Sequence, residues 1–386
     1  MKKSADRFLT THVGRLERPQ QLTDRMLADH GGRPADAAFD ALLGAAVADV
    51  VRQQAEAGID IVTDGEFGKL SWNSYVTSRL SGWEWADDAP PRAILGKDRT
   101  DFAQYYADTA RDGVHYARNP EGSRKRASFP VFSGPIDYVG HAHVLKDIEN
   151  LKAALAGVPA LEAFLPSVSP GSVRFDNRHY KNDEAYLFAL ADALHQEYRA
   201  ITDAGLTLQV DDPVITAFWD MMLPDVDMKA FYSICEMRVD ALNHALRGID
   251  PAQVRVHVCW GSWHGPHSTD VPLELLMPLL NRMNVGGYVL EAGNARHEHE
   301  WRVWHDHRLP EGRLLYAGVV SHATDTIEHP ELIAQRLERF AGAVGRENVI
   351  ASTDCGLGYR VHPQIAWAKL KALRDGARLA SARLWR

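Results

Sequence analysis

Short apolar runs alternate with longer amphipathic stretches along most of the chain. The longer stretches repeat apolar residues at helical spacing, and the short runs end in small or polar residues. Nine short runs are candidate strands: FLTTHVG, IDIVTDGE, FPVFSGPI, AFLPSVSP, LTLQVDDP, VRVHVCWG, GYVLEAGN, LLYAGVVS and NVIASTDCG. Such alternation is typical of parallel strands joined by right-handed helical crossovers.

The clearest helical stretches lie between these runs: ADAAFDALLGAAVADVVRQQAEAG, EAYLFALADALHQEYRAITDAG, PLELLMPLLNRM and PELIAQRLERFAGAVG. No GxGxxG follows the first strand, which disfavours a dinucleotide-binding sheet. The pattern therefore predicts one α/β domain over residues 1–386, a (β/α)8 TIM-type barrel. Nine candidates for eight positions mean that one candidate lies outside the barrel or is not a strand. Residues 84–128 are polar and aromatic-rich, and we expect them to form an insertion packed over one barrel end.

Composition narrows the function. The 386 residues are 45% hydrophobic and 24% charged, as in an ordinary globular protein. A net charge of −8 without a basic stripe argues against nucleic-acid binding. No apolar run approaches the about 18 residues that span a bilayer, and the N-terminus lacks a signal-peptide pattern. We therefore expect a cytoplasmic protein without membrane partners, in which three separated cysteines do not form a disulfide framework.

Residues capable of chemistry end nearly every candidate strand. They are His12, Asp64, Glu66, Asp211, Asp212, His257, Cys259, Glu291, Ser321, His322, Asp354 and Cys355. The carboxyl ends of barrel strands face one mouth, where active sites lie. Polar residues concentrated at that mouth indicate an enzyme.

His257 and Cys259 point to the same face of their strand because side chains alternate with a period of two. A lone strand cysteine is more often a small buried apolar residue than a ligand. Zinc, however, takes imidazole and thiolate ligands together. Glu291 and Cys355 end later strands, so all four side chains can meet at the mouth. On these residues alone, a zinc site and plain burial both remain open.

Two other groups are weaker metal candidates. Cys235 lies in FYSICEMRVDALNHAL, a helical pattern in which burial is the better interpretation. The stretch RHEHEWRVWHDH holds four histidines but lacks HExxH spacing, which disfavours a second metal site. A site role for His297 or Glu298, close after Glu291, stays open.

Several motifs resemble the cobalamin-independent methionine synthase family. HVC at 257–259, a glutamate at the next strand end and DCGLGYR at 354–360 resemble its zinc signature. TTHVGRLERP, DIVTDGEF, ITDAGLTLQVDDP, LPSVSPG and GVVSHATDTIEHPELI resemble further family motifs, so the likeness spans residues 8–365. It corresponds to the catalytic C-terminal barrel. LEAGNARHEHEW is most similar to the short bacterial paralogues that include epoxyalkane:coenzyme M transferases.

The resemblance implies a barrel that binds Zn²⁺ through His257, Cys259, Glu291 and Cys355. Family chemistry is alkyl transfer onto a thiol. Zinc deprotonates the bound thiol, because the thiolate is the nucleophile and a free thiol is mostly protonated at neutral pH. Glu291 is then a replaceable ligand and a catalytic candidate. His322 is the candidate proton donor, although it is offset by one position from the family's histidine.

The resemblance also assigns substrate residues. Glu66 and Asp211 match the acidic pair that holds the amino group of homocysteine; strand-end caps or salt bridges are their other interpretation. Val13, Gly14 and Arg15 stand where the family has Ile-Gly-Ser, and arginine suits a carboxylate, sulfonate or phosphate. SVRFDN, after LPSVSPG, lacks the tryptophan that stacks the pterin, which argues against a folate donor.

These observations predict a zinc-dependent S-alkyltransferase that transfers a methyl group to homocysteine or a similar thiol. The alternative within the class adds an anionic thiol to an epoxide or alkyl ether, as in epoxyalkane:coenzyme M transferase. A different class, a non-catalytic zinc- or thiol-binding protein, leaves the acidic pair without a purpose. The expected partners are a small-molecule thiol and an alkyl donor. Neither is identified by the sequence, which is also compatible with a homo-oligomer.

Overall fold

The computed structural model describes residues 1–28, 33–34, 36–88, 96–112, 129–222, 226–262 and 265–385. The strands are β1 (Ile61–Val62), β2 (Trp83–Ala86), β3 (Phe129–Phe132), β4 (Glu162–Val168), β5 (Asp176–Asn177), β6 (Thr207–Asp211), β7 (Val254–Val258), β8 (Gly287–Glu291), β9 (Leu314–Val320) and β10 (Val349–Thr353). The α-helices are α1 (Gln20–Ala28), α2 (Ala37–Ala57), α3 (Lys97–Asp101), α4 (Ala103–Asp112), α5 (His141–Leu155), α6 (Asp183–Asp203), α7 (Val214–Met222), α8 (Met228–Ala245), α9 (Leu273–Arg282), α10 (Val303–Asp306), α11 (Pro330–Val344) and α12 (Pro363–Leu384).

Seven parallel strands form the central sheet, in the order β1-β4-β6-β7-β8-β9-β10. Strands β6 to β10 are buried along their whole length, as expected for a parallel sheet covered on both faces. The four predicted helical stretches coincide with α2, α6, α9 and α11. Cys235 lies on α8 and is fully buried. Within the described ranges, no helix is long and apolar enough to cross a membrane.

The first predicted strand, FLTTHVG, departs from the expectation. It makes one isolated bridge, between Thr10 and Ala351, and is otherwise irregular. The carboxylate of Asp60 accepts the backbone N–H of Thr10 at 2.9 Å, so a side chain takes a hydrogen bond that a strand ladder would use. The segment still contacts both sheet edges: Thr11 N donates to Ala351 of β10 at 2.8 Å, and Ile61 N of β1 donates to Thr10 at 3.1 Å.

FPVFSGPI forms a regular strand that lies outside the central sheet. It forms β3, which pairs antiparallel with β2 and parallel with β5 in a separate three-stranded sheet.

The predicted insertion is only partly described, since residues 89–95 and 113–128 lie outside the described ranges. Its first residues, 84–86, belong to β2, and beyond residues 89–95 Gly96 N donates to the Asp220 carboxylate of α7 at 3.0 Å. Asp98 of α3 is buried and accepts the backbone N–H of Ser268 at 3.2 Å. These contacts reach α7 and the segment after β7. That the whole insertion packs over one barrel end stays a prediction.

Arg255 fills the space enclosed by the curved sheet. Its side chain is fully buried, with the guanidinium carbon 3.6 Å from the ring centroid of Phe164 and 4.8 Å from that of Tyr316. Its Nε donates to Gln209 at 2.9 Å and its Nη2 to the His12 carbonyl at 3.2 Å. The aromatic faces and these acceptors stabilise the buried cation and tie the first segment to β6 and β7.

Arg255→Met should lower the free energy of unfolding by about 2–4 kcal/mol, because it leaves the buried acceptors of Gln209 and His12 unpaired. Denaturant unfolding followed by circular dichroism measures the change. The matched control is Arg247→Met: Arg247 is 43% exposed and pairs with Asp192 at 3.0 Å, so its loss should cost less than about 1 kcal/mol. Equal effects of the two substitutions would contradict the structural role of Arg255.

Candidate functional site

The carboxyl ends of β6, β7, β8 and β10 bring the predicted site residues together. His257 lies in β7, and Cys259 and Cys355 follow the ends of β7 and β10. One ligand atom from each of these three residues lies within 4.8 Å of the other two. A nitrogen and two sulfurs gathered at buried strand ends form a donor set that zinc prefers.

The imidazole of His257 is fixed by the carboxylate of Asp211, whose Oδ1 lies 3.1 Å from Nδ1. The other ring nitrogen, Nε2, is buried and has no hydrogen-bond partner in the described part of the chain. Burial opposes the charged ring, but Asp211 and the thiol of Cys355 outweigh it and raise the pKa of His257 to about 10. A carboxylate on Nδ1 leaves Nε2 for a ligand, as in metal-binding histidines.

The two cysteines differ in proton affinity. Cys355 interacts with the thiol of Cys259 and with His257, and these contacts hold the pKa of Cys355 well below the ordinary thiol range despite burial. The same contact with Cys355, together with burial, raises the pKa of Cys259. Ser262 Oγ also donates to Cys355 Sγ at 3.1 Å. Of the two cysteines, Cys355 is therefore the one that loses its proton more readily.

Glu291, the fourth predicted ligand, belongs instead to a second cluster of buried polar side chains. Its Oε2 accepts from Arg296 at 2.7 Å and from Asn294 at 2.6 Å, and its Oε1 accepts from Trp260 N at 2.9 Å. A ligand atom of Glu291 lies within 4.8 Å of those of His322 and Asp354. The structure thus gathers three of the four predicted ligands and holds the fourth beside them in an ion pair.

His322 and Asp354 are both buried behind Cys355. Burial, with the nearby charge of Glu291, raises the pKa of Asp354 to about 7, although Asp354 accepts the backbone N–H groups of Ala292 and Gly293. Burial lowers the pKa of His322, whose Nδ1 has no hydrogen-bond partner within the described ranges. Burial therefore favours the neutral form of His322, whereas the nearby charges of Cys355 and Glu291 favour its protonated form.

A cavity of about 400 Å³ opens in front of the cysteines. Its lining comprises Val13, Arg15, Glu66, Ser71, Trp72, Asn73, Arg174, Asp211, Pro213, Val214, Ala217, Met221, His257, Cys259, Gly261, Ser262, Cys355, Gly356, Gly358, Tyr359 and Arg360. Most predicted substrate and metal residues are among them, whereas Glu291 and His322 are not. Gly14 lies directly behind the lining: it has φ 133°, and a Cβ there would lie 3.2 Å from Glu66 Oε1.

Glu66 and Asp211 both line this cavity and interact electrostatically. Glu66 has φ 60°, a conformation that non-glycine residues rarely adopt outside functional sites. Burial and the charge of Asp211 raise the pKa of Glu66 to about 7, and Arg15 acts in the opposite direction. Glu66 Oε2 is buried without a hydrogen-bond partner in the described ranges. A buried carboxylate pair of this kind is stabilised by a bound cation.

Several residues at the site were not given roles from sequence. Arg360 and Tyr359 line the cavity and belong to DCGLGYR, the motif that identified Cys355. His297 stacks on Trp260 with ring centroids 4.0 Å apart and bonds to Asp270 and Glu300, so it supports the segment after β7. Glu298 pairs instead with Arg336 at 2.8 Å, away from the cavity.

A family profile, two sequence relatives and a solved structure are similar to this chain. The family profile "Cobalamin-independent synthase, Catalytic domain" matches residues 168–379. A methionine synthase of Sulfolobus acidocaldarius is 25% identical over 352 residues, covering 90% of this chain and 85% of that protein. A 2-hydroxypropyl-CoM lyase of Xanthobacter autotrophicus is 24% identical over 378 residues, covering 91% and 88%. A B12-independent methionine synthase from Shewanella sp. W3-18-1, solved in complex with selenomethionine, shares the fold with a TM-score of 0.71 at 20% identity, covering 98% and 99%.

In chelator-treated protein, iodoacetamide should modify Cys355 first and leave Cys235 unmodified, because burial raises the pKa of Cys235 to about 12. The pKa of Cys355 is lowered, so its alkylation rate should fall less between pH 8 and pH 6 than that of an ordinary thiol. An ordinary thiol slows about tenfold per pH unit below its pKa. Peptide mapping by mass spectrometry measures both rates; an ordinary slope for Cys355 would contradict the assignment.

Proposed function

Since the chain belongs to the cobalamin-independent synthase catalytic-domain family, we propose that it is a zinc-dependent S-alkyltransferase acting on a small thiol. Methyl transfer to homocysteine or a similar thiol is the leading form. The observation that carries the proposal is the convergence of His257, Cys259 and Cys355 on one wall of the cavity. We also propose that the segment 8–14, bonded to both β1 and β10, closes the sheet as a (β/α)8 barrel.

The residues present fit a zinc ion. Nε2 of His257 is available, the two sulfurs lie close to it, and Asp211 orients the ring from the opposite nitrogen. Zinc held there lowers the pKa of a substrate thiol, so that the sulfur is a nucleophile at neutral pH. Glu291 is the remaining candidate ligand in our proposal. Arg296 provides a second position for its carboxylate, which suits a ligand that yields to an incoming sulfur.

The acidic wall of the cavity supports an amino-acid thiol. Glu66 and Asp211 converge at buried positions, and an ammonium group between them would neutralise their mutual repulsion. The curated relative named a methionine synthase supports homocysteine as the amino-acid thiol. In this arrangement the chain binds and orients the substrate by its ammonium end, with the sulfur directed to the cysteine wall.

The leaving group must gain a proton or equivalent stabilisation. His322 remains the candidate acid: it is buried near Glu291 and Cys355, and its Nδ1 has no hydrogen-bond partner in the described ranges. Its absence from the cavity lining means that a proton would reach the substrate only through a rearrangement or a water molecule. Val13 and Gly14 shape the wall between Arg15 and Glu66 in this proposal.

The second candidate function adds an anionic thiol to an epoxide or alkyl ether. It is favoured by Arg15 on the cavity wall and by likeness to the 2-hydroxypropyl-CoM lyase. The sulfur would attack a ring carbon, the C–O bond would break, and the alkoxide would take up a proton. Both functions need the same activated thiol.

Purified protein should contain about one zinc per chain, and Cys259→Ser or Cys355→Ser should lose most of it, because thiolate ligands dominate the affinity of such a site. Inductively coupled plasma mass spectrometry on dialysed protein measures the content. Cys235→Ser is the matched control, since Cys235 is buried on α8 and should retain full zinc. Full zinc retention in Cys355→Ser would contradict the site. Zinc binding without any thiol alkylation would favour the non-catalytic class.

Glu66→Gln should weaken homocysteine binding by about tenfold, the effect of one charge-assisted hydrogen bond. Because the pKa of Glu66 is raised to about 7, the wild-type preference for homocysteine over 2-mercaptoethanol should grow as pH rises from 6 to 8 and Glu66 loses its proton. Calorimetric titration of both thiols measures this ratio and cancels the pH dependence that they share. A ratio unchanged by the substitution would argue against an ammonium subsite.

A further inference from the structure

The segment 260–262, close after the end of β7, donates hydrogen bonds to predicted metal ligands. The backbone N–H of Trp260 donates to Glu291 Oε1 at 2.9 Å. Two residues later, the hydroxyl of Ser262 donates to Cys355 Sγ at 3.1 Å. Ser262 makes no other side-chain hydrogen bond within the described ranges. Its hydroxyl therefore serves the sulfur of Cys355 alone.

Gly261 supplies a third donor in the same segment. Contact with Cys355 and burial raise the pKa of Cys259, whereas the backbone N–H of Gly261 opposes them, as a donor to the sulfur does. Gly261 has φ 91°, a left-handed conformation that other residues rarely adopt, so this arrangement of donors depends on glycine. Three consecutive residues therefore act on three different predicted ligands.

The side chain of Trp260 holds this segment in place. Its indole Nε1 donates to the carbonyl of Val271 at 2.6 Å, and its ring stacks on His297 with centroids 4.0 Å apart. Because the side chain is buried and held on two sides, the backbone beside it is fixed. The three donors are occupied by protein ligands, so they are not available to the sulfur of a substrate.

Both cysteine sulfurs belong to the cavity into which an alkyl donor must come. Cys259 is buried, whereas Cys355 is partly exposed. A thiolate is a nucleophile whether it belongs to the substrate or to the protein. In the side reaction, the Cys355 sulfur forms a bond to the alkyl carbon, the bond from that carbon to its leaving group breaks, and the electron pair stays with the leaving group. Cys355 becomes an uncharged thioether, and the site loses an anionic ligand.

A hydrogen bond to a thiolate slows its alkylation. The donor stabilises negative charge on the sulfur, and this charge is lost as the carbon–sulfur bond forms, so the ground state is stabilised more than the transition state. The two cysteine sulfurs have such donors in the segment 260–262, whereas a substrate sulfur receives none from it. This difference favours reaction at the substrate sulfur.

We propose that Ser262 is a positioning residue that directs alkylation to the substrate sulfur by keeping a hydrogen bond on Cys355. The inference rests on the proposed function, because it presupposes metal-bound thiolates and an alkyl electrophile in the cavity. Ser262 acts through Cys355 and takes no part in the bond changes. Gly261 has the same role for Cys259, which burial also protects.

The test maps alkylation of the zinc-loaded protein with iodoacetamide as the electrophile. Ser262→Ala should raise the rate at Cys355 about tenfold, as expected for the loss of one hydrogen bond to a charged sulfur. The rate at Cys259 should stay unchanged, because its donor is a backbone N–H. Ser262→Thr keeps the hydroxyl and should restore the wild-type rate. Peptide mapping by mass spectrometry measures both rates, and zinc content and melting temperature before alkylation should equal those of the wild-type protein.

Ser233→Ala is the matched control. Ser233 is exposed on α8, where its hydroxyl donates to the carbonyl of Lys229 at 3.1 Å, so its loss should leave Cys355 alkylation unchanged. Equal Cys355 rates in Ser262→Ala and wild type, both with zinc bound, would overturn the inference and leave the proposed function standing. Lower zinc content or melting temperature in Ser262→Ala before alkylation would give Ser262 a structural role and overturn the inference as well. Failure of the proposed function shows separately, as full zinc retention in Cys355→Ser.

Discussion

The contact between Asp211 and His257 connects the protein interior to the cavity. Asp211 Oδ1 lies 3.1 Å from His257 Nδ1 and accepts from Gln209 Nε2 at 2.8 Å. Gln209 in turn accepts from the buried guanidinium of Arg255. Each partner fixes the next, so the imidazole is oriented by a hydrogen-bond chain that begins in the core of the sheet. The carboxylate of Asp211 also raises the pKa of Glu66. Asp211 therefore interacts with both His257 and the second acidic residue of the cavity.

The site has two layers with different physical roles. His257, Cys259 and Cys355 line the cavity, where a substrate sulfur can reach them. Glu291 and Asp354 lie behind in a fully buried layer, where Arg296 and the amide of Asn294 stabilise the carboxylates. The charge of Glu291 is therefore balanced by Arg296, whose side chain is partly exposed. The front layer retains donor atoms that the protein itself does not satisfy, which is the arrangement that a ligand-binding surface requires.

Sequence patterns predicted the parts that depend on strand geometry. The alternation of runs located the strands of the central sheet, and the period of two placed His257 and Cys259 on one face. The strand prediction for FLTTHVG is wrong for most of its length, because the Asp60 side chain takes the backbone hydrogen bond of Thr10. The hydrophobic periodicity of a segment does not reveal that a side chain accepts one of its backbone hydrogen bonds.

The loop-dependent parts of the site could not be predicted. Arg296, five residues after Glu291, competes for its carboxylate only because of the turn that follows β8. Arg360 and Arg15 come together only because Gly356 and Gly358 let two distant loops touch. Their sequence motifs were visible, but the pairing is a long-range contact that local propensity does not encode. The resemblance to a family predicted the order of the metal ligands along the chain. Only the structure shows which arginines lie near them.

The most direct test of the account is X-ray absorption spectroscopy of the zinc-loaded protein. The convergence of His257, Cys259 and Cys355 predicts two sulfur scatterers at about 2.3 Å and nitrogen or oxygen scatterers at about 2.0–2.2 Å from the metal. An added thiol substrate should increase the sulfur count by one. A zinc shell made only of nitrogen and oxygen, with no sulfur before or after thiol addition, would contradict the account.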